Sequence, residues 1–449
     1  MFKGLVIFSM CLLFLLYSFF PINLIELTLS ILAAIILLSV INQVKVPQKM
    51  ISLILLLSGI SIYVLMNVHI TDALQGLLRN LPLLSLLLLV PLLAIPMKIS
   101  GYLESTYHYL SKWQNDSNKA FMGLTSLLSL LAPVLNMGSV RLVHEVARDV
   151  QFPTKLLGKS YFIGFSTAML WSPYFASVAL VLVSVNVRVT DYILVGLGYA
   201  VIQLGLGMLL FRFAKLENEV ERIEAIPNAT NNESLHRLNI VKLISMIVGM
   251  IVSLLVLESF TTLSMLVLVS LISLIIPILW WIGSKQKSRM KDAFQEYLLS
   301  ISSKSQNEIV LFLSAGFFGS AIAYTSVARI IETTMGWASS VSLLFFIGLV
   351  VVIVSLFAMA GVHQIIIVPL LAMYAGTDVT GITPVALAVI FLMAWALSSI
   401  LSPLNAINML VSSLLGRSGF TTGMKWNGVY LFLLFVVGVL MAYSIQLLS

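Results

Sequence analysis

The chain has 449 residues, of which 60% are hydrophobic and 10% charged, with a formal net charge of +7. A soluble domain carries about 25% charged residues, so this composition excludes a water-soluble globule and points to the hydrocarbon of a bilayer as solvent. The basic residues fall in short loops between apolar runs, without the basic, aromatic-interleaved stripe of a nucleic-acid binder, and the one cysteine, Cys11, rules out an internal disulfide.

Met1-Phe2-Lys3 and the apolar run to Phe20 lack a small-residue cleavage site and continue into Pro21-Ile22-Asn23, so they read as an uncleaved first helix. Apolar spans are expected at about residues 4–20, 23–41, 50–68 and 81–98, followed by an amphipathic stretch, 99–119, too polar to cross. Residues 120–149 are of another kind. A short apolar arm, Ala120 to Leu135, breaks at Asn136-Met137-Gly138-Ser139, and a second arm carries Arg141, His144, Glu145, Arg148 and Asp149. Spans at 156–185 and 190–213 and a charged linker, 214–240, complete the first half.

The second half repeats the plan. Spans are expected at 241–257, 261–283 and 308–328, with a basic loop at 284–305. A second broken segment, 338–376, is interrupted at Ala360-Gly361-Val362-His363, and the last spans are 383–414 and 425–447. The halves match at an offset of 230 residues, which lays Ser172-Pro173 on Ser402-Pro403 and Gly198 on Gly428. From Ser172 to Val181, five of ten positions are identical to those of residues 402–411. The Ser-Pro-x-x-Ala core in mid-span carries the match, since shared Leu and Val mean little in so apolar a chain.

Charge fixes the expected orientation. With a cytoplasmic N-terminus and 120–149 entering and leaving on one face, only Arg79, Arg188 and Arg329 of the 25 basic residues lie outside. If 120–135 crossed completely, the basic loops around 215–242 and 284–305 would be exported, against the positive-inside rule. The reading is therefore an all-α polytopic protein of the cytoplasmic (inner) membrane, with about eleven transmembrane helices and two re-entrant hairpins in two inverted repeats. Residues 1–22 form an extra N-terminal helix, 23–213 the first repeat, 214–240 a cytoplasmic linker and 241–449 the second repeat. The C-terminus is outside.

Backbone in lipid must be hydrogen-bonded, so irregular chain at mid-depth survives only where it lines a cavity or is buried in protein. The tips at 136–139 and 360–363, and the breaks at Ser172-Pro173 and Ser402-Pro403, are four such points. Broken helices expose positive N–H ends that suit an anionic group and negative C=O ends that suit a cation, and paired interruptions in two halves mark a transporter site. Candidate binding residues are Asn136, Met137, Gly138, Ser139, Ser172, Pro173, Gly361, Val362, His363, Ser402 and Pro403. Asn405 and Asn408 add amides that could serve an ion or a carboxylate, Arg141 could attract an anion, and His363 and His144 could titrate or donate a hydrogen bond. No paired carboxylates or metal-spaced ligands suggest an enzyme, and no cofactor is expected beyond a coupling ion, sodium or a proton. Asn228-Ala-Thr230 and Asn232-Glu-Ser234 match the glycosylation pattern by chance in a cytoplasmic linker.

One extra span, then twice three spans, a hairpin, a broken span and a final span, resembles the ion transporter superfamily, best known for the divalent anion:sodium symporters, with citrate and arsenite permeases as relatives. Ser402-Pro403-Leu404-Asn405 resembles the Thr-Pro-Pro-Asn-like run of that branch, and Ser172-Pro173 resembles its first two residues. The two tips depart from its Ser-Asn-Thr. The resemblance implies a scaffold domain, a homodimer, hairpins and broken helices moving as an elevator, substrate between the tips and a sodium ion beside each. The expected activity is secondary transport of a small organic anion. A proton-linked exporter or antiporter and, less in keeping with the pattern, a lipid-handling membrane protein are the alternatives.

Overall fold

The computed structural model describes residues 2–44, 46–102, 105, 109, 112–113, 116–150, 152–214, 233–284 and 286–448. Every regular element among them is helical. In chain order these are α1 (Phe2–Phe19), α2 (Asn23–Val40), α3 (Val46–Leu65), α4 (Ile70–Gln75), α5 (Leu81–Leu89), α6 (Ala94–Ile99), α7 (Ser117–Leu135) and α8 (Met137–Val150). There follow α9 (Thr154–Trp171), α10 (Ala176–Ser184), α11 (Val189–Arg212), α12 (Glu233–Phe260), α13 (Met265–Gly283), α14 (Lys287–Lys304) and α15 (Gln306–Ile322). The last are α16 (Ser326–Val341), α17 (Leu343–Met359), α18 (Gln364–Tyr374), α19 (Thr377–Thr380), α20 (Pro384–Leu401), α21 (Ala406–Leu415), a π-turn at Phe420–Lys425 and α22 (Trp426–Leu448). Among the described residues, 11 helical segments are long and apolar enough to cross a membrane. The protein is an all-α polytopic membrane protein.

The chain divides into two compact units. One comprises Met1–Pro96, Val256–Trp337 and Pro369–Thr380; the other comprises Met97–Leu255, Ala338–Val368 and Gly381–Ser449. In the first unit α3 packs along α15, where Tyr63 donates to Phe317 O (3.3 Å), and α14 packs on α1. In the second unit α9 lies against α7, α11 and α20, and α20 lies against α17 and α22. Both tips and both breaks belong to this second unit.

Several expectations are corrected. The basic stretch 284–305 is largely the helix α14: Met290, Tyr297, Leu298 and Ile301 fall on one buried stripe at helical spacing, and Lys287, Arg289, Lys291 and Lys304 of the same helix are exposed. The span expected at 308–328 ends at Ile322, and the chain turns through 86° into α16. Thr325 makes the corner, donating its N–H to Ile322 O (2.8 Å) and accepting from Val327 N (3.2 Å). Residues 338–341 therefore close α16, and the first arm of the second broken segment starts only at Leu343, capped by Ser342 Oγ, which accepts from Phe345 N (3.1 Å).

The first arm of the other segment is longer than its apolar residues suggest. Asp116 caps it, accepting from Asn118 N (3.2 Å) and Lys119 N (3.0 Å), so α7 has 19 residues and by length alone could cross a bilayer. α7 and α8 pack against each other across the one-residue break at Asn136, whereas α18 is not packed along α17. Most of the linker, with Asn228 and Asn232, and parts of the 99–119 stretch lie outside the described residues.

Candidate functional site

The second break begins where proline interrupts the ladder. Pro403 has no N–H, and α20 stops at Leu401 with Ser402 in an extended conformation (φ −79°, ψ 120°). Ser402 Oγ accepts from Leu404 N (3.2 Å) and donates to Ala358 O (2.7 Å) in the last turn of α17. Asn405 restarts the helix: its Oδ1 accepts from Ile407 N (3.1 Å) and caps α21. Ile400 O, whose helical donor would have been Leu404 N, instead accepts from Asn408 Nδ2 (2.8 Å). Asn408 Oδ1 in turn accepts from Thr422 Oγ1 (3.2 Å) and Ser412 Oγ (3.4 Å). Asn408 is fully buried, and these bonds hold the break in shape.

The first break has the same backbone 230 residues earlier. Ser172 is at φ −86°, ψ 120°, and Phe175 at φ −97°, ψ 133°, beside −69° and 142° for Asn405. Tyr174 N reaches Ser172 Oγ (3.3 Å), as Leu404 N reaches Ser402 Oγ. The carbonyl orphaned by Pro173 is Met169 O, and Ser177 Oγ fills it (2.8 Å). Its surroundings differ. Ser172, Pro173, Tyr174 and Phe175 are all buried, Tyr174 donates to Met250 O (2.8 Å), and Phe175 packs edge-on against Phe165. Here Ser172 and Pro173 face packed protein. At the second break Leu404 is 56% exposed and Pro403 and Asn405 are half-buried.

At the first tip Asn136 alone makes the turn, at φ +47° and ψ −135°, a conformation that strains any residue but glycine. Ser139 is buried and turned inward, donating Oγ to Asn136 O (2.6 Å); Asn136, Met137 and Gly138 are half-buried. Arg141 is exposed, and His144 Nδ1 meets the Tyr161 hydroxyl (3.1 Å). The second tip is a glycine C-cap: Val362 N bonds back to Phe357 O (2.9 Å) around Gly361 at φ +86°. His363 Nδ1 accepts from Ile365 N (3.2 Å), which leaves Nε2 to carry the proton of the neutral ring, and the ring stands edge-on to Trp395 at 6.4 Å.

The second tip and the second break are joined. Beyond the Ser402–Ala358 bond, Asn405 Nδ2 donates to Gln364 Oε1 (2.9 Å) and Gln364 Nε2 donates to Ser398 Oγ (3.0 Å). This chain of three side chains fixes the Asn405 amide between the tip and its helix. Gln364 and Ser398 were missed in the sequence. The available signal was a lone amide beside His363 at the head of an apolar arm, since polar groups inside membranes need a partner. Among the described residues no such bond ties the first tip to a break. Its outgoing helix α8 packs on α21, and α9 crosses both α20 and α21. Among the described residues no group of three or more His, Cys, Asp or Glu could hold a metal. An ion here would depend on neutral oxygens and helix ends.

No family model matches the chain, and no curated protein matches it. Among solved structures it is similar to the YdaH transporter of Alcanivorax borkumensis, whose crystal structure was described as having an unusual topology. The identity is 16%, the TM-score 0.57, and the match covers 82% of this chain and 86% of that one. The fold is therefore that of a known membrane transporter.

Proposed function

We propose that the chain is a secondary active transporter for a small, carboxylate-like organic anion, coupled to sodium or protons. The observation that carries this reading is the wired junction of tip and break at Ser402, Asn405 and Gln364, half-open at Leu404 and backed by the same broken backbone at 172–175. An N-terminal helix end at α21, an amide with one remaining N–H at Asn405 and, beside Gln364 in the chain, a His363 Nε2–H are the donors of this region, a set that suits a negative group. Placement of both tips and both breaks in one compact unit supports an elevator, in which that unit moves as a body. The inner membrane, with the N-terminus cytoplasmic, remains the location that the loop charges favour.

The proton-linked exporter is the second reading, and the position of His363 in the tip is what favours it. Against it stands the capping bond at Nδ1, because protonating that nitrogen would remove an acceptor from Ile365 N. The test is a melting screen of the purified protein with carboxylates, amino acids and oxyanions, each in sodium and in potassium. A sodium-dependent rise with one anion class is expected; no response to any anion would sink the reading. Transport by His363→Asn with an altered pH profile would favour the proton-linked alternative.

A further inference from the structure

Three helices of the second unit, α9, α11 and α22, pack on one another and bury a polar cluster that includes no tip or break residue. Gln203 Nε2 on α11 donates to Ser166 Oγ on α9 (2.7 Å), and the Tyr430 hydroxyl on α22 lies beside both. These three residues are 0–1% exposed. One turn earlier on the same face of α22, Asn427 donates Nδ2 to Thr422 O (2.7 Å), and it too is fully buried.

The two amides are oriented alike. Each has its NH2 group engaged within the protein and its carbonyl oxygen left over. Gln203 Oε1, Asn427 Oδ1 and, on α9, Ser160 Oγ are buried atoms without a hydrogen-bond partner, and the Tyr430 hydroxyl stands against Ser166 and Gln203. Polar residues that serve only to join membrane helices are present in order to be paired, and a buried group left unpaired is destabilising. An all-oxygen donor set of this kind suits a hard cation. The set contains no carboxylate, so a divalent ion would bring uncompensated charge into the protein interior, whereas a single charge is within reach of several neutral dipoles.

We infer that Gln203 Oε1, the Tyr430 hydroxyl and Ser166 Oγ, with Asn427 Oδ1 one turn away along α22, form a binding site for a monovalent alkali cation. The site is separate from the junction at Ser402 and does not depend on the transport reading. Its test uses the full chain in detergent, without organic anion, melted in sodium, lithium, potassium or choline chloride at constant ionic strength. The expected result is a saturable rise of about 2 °C or more in at least one alkali cation over choline. That rise should vanish in Gln203→Leu and Tyr430→Phe and persist in Ser402→Ala. If Gln203→Leu does not fold, Tyr430→Phe, which removes one oxygen, decides alone. No cation-dependent rise in the parent protein, a rise that survives Tyr430→Phe, or one lost only in Ser402→Ala would each overturn the site.

Discussion

The chain makes one turn twice, at 172–175 and at 402–405, and surrounds the two copies differently. Both start with serine and proline, both have an extended serine near ψ 120°, and both fill a carbonyl freed at the break from the helix that follows, Met169 O in one and Ile400 O in the other. At the first, Tyr174 and Phe175 seal the turn with aromatic packing and a bond to Met250 O. At the second, Asn405 replaces the aromatic, caps α21 and reaches across to Gln364, while Leu404 stays exposed. Serine and proline dictate the backbone; the two residues after them decide whether the turn is packed or available.

Tests of that contrast can be ranked by expected effect. Tyr174→Ala should lower stability most, by about 3–5 kcal/mol in a detergent denaturation series, through a cavity and a lost hydrogen bond. Leu404→Ala, at the equivalent position, should stay within about 0.5 kcal/mol. Equal losses at the two positions would erase the distinction. Next come the carbonyl fillers. Asn408→Leu leaves Ile400 O, Thr422 Oγ1 and Ser412 Oγ without a shared partner and should cost about 2–3 kcal/mol, and Ser177→Ala, with one bond lost, about 1–2 kcal/mol.

Gln364→Leu should cost about 1–2 kcal/mol, because Asn405 Nδ2 and Ser398 Oγ lose their common partner. It should also weaken the sodium-dependent response to the anion found by screening about tenfold, whereas Ser177→Ala should leave that response intact. A response untouched by Gln364→Leu would show that the wired junction is structural only.

The smallest effect lies away from both turns, at the exposed cap of α7. Hydrogen bonds from the Lys119 N–H and side chain, then from Asn118 N, hold the Asp116 carboxyl below its ordinary value of 3.8. A depressed carboxyl stabilises the fold above its unfolded value and loses that contribution as the pH falls through the lower, folded one. The melting temperature should therefore decline slightly below about pH 4, and Asp116→Asn should flatten that decline.

The parts legible in the sequence were those with covalent signatures. Pro173 and Pro403 remove a donor, so their breaks are visible in the text of the chain, and Gly361 marks a backbone turn that side chains resist. Long apolar runs gave the helices. What escaped were elements whose polarity mimics a loop. The α16 residues Arg329, Glu332 and Thr333 read as connection, yet they are the exposed face of a helix whose Met335 and Ala338 are buried. The 86° corner before it depends on one threonine side chain, which is too weak a signal beside continuous apolar sequence. Gln364 and the engagement of Asn408 escaped for another reason. Which amide meets which carbonyl across 41 residues of chain is a product of packing, and no local pattern encodes it.

Gly419 and Gly423 press the start of the last helix onto the second break. A methyl on Gly423 would collide with Ile400 O and Asn408 Nδ2, and one on Gly419 would sit 3.0 Å from Asn408 Oδ1 and from Pro403 Cβ. With no side chain to act as a cushion, the hinge formed by proline has been splinted. The turn at 402–405 is not free to swivel alone, and any displacement of it must carry the C-terminal helix along like a door with its frame.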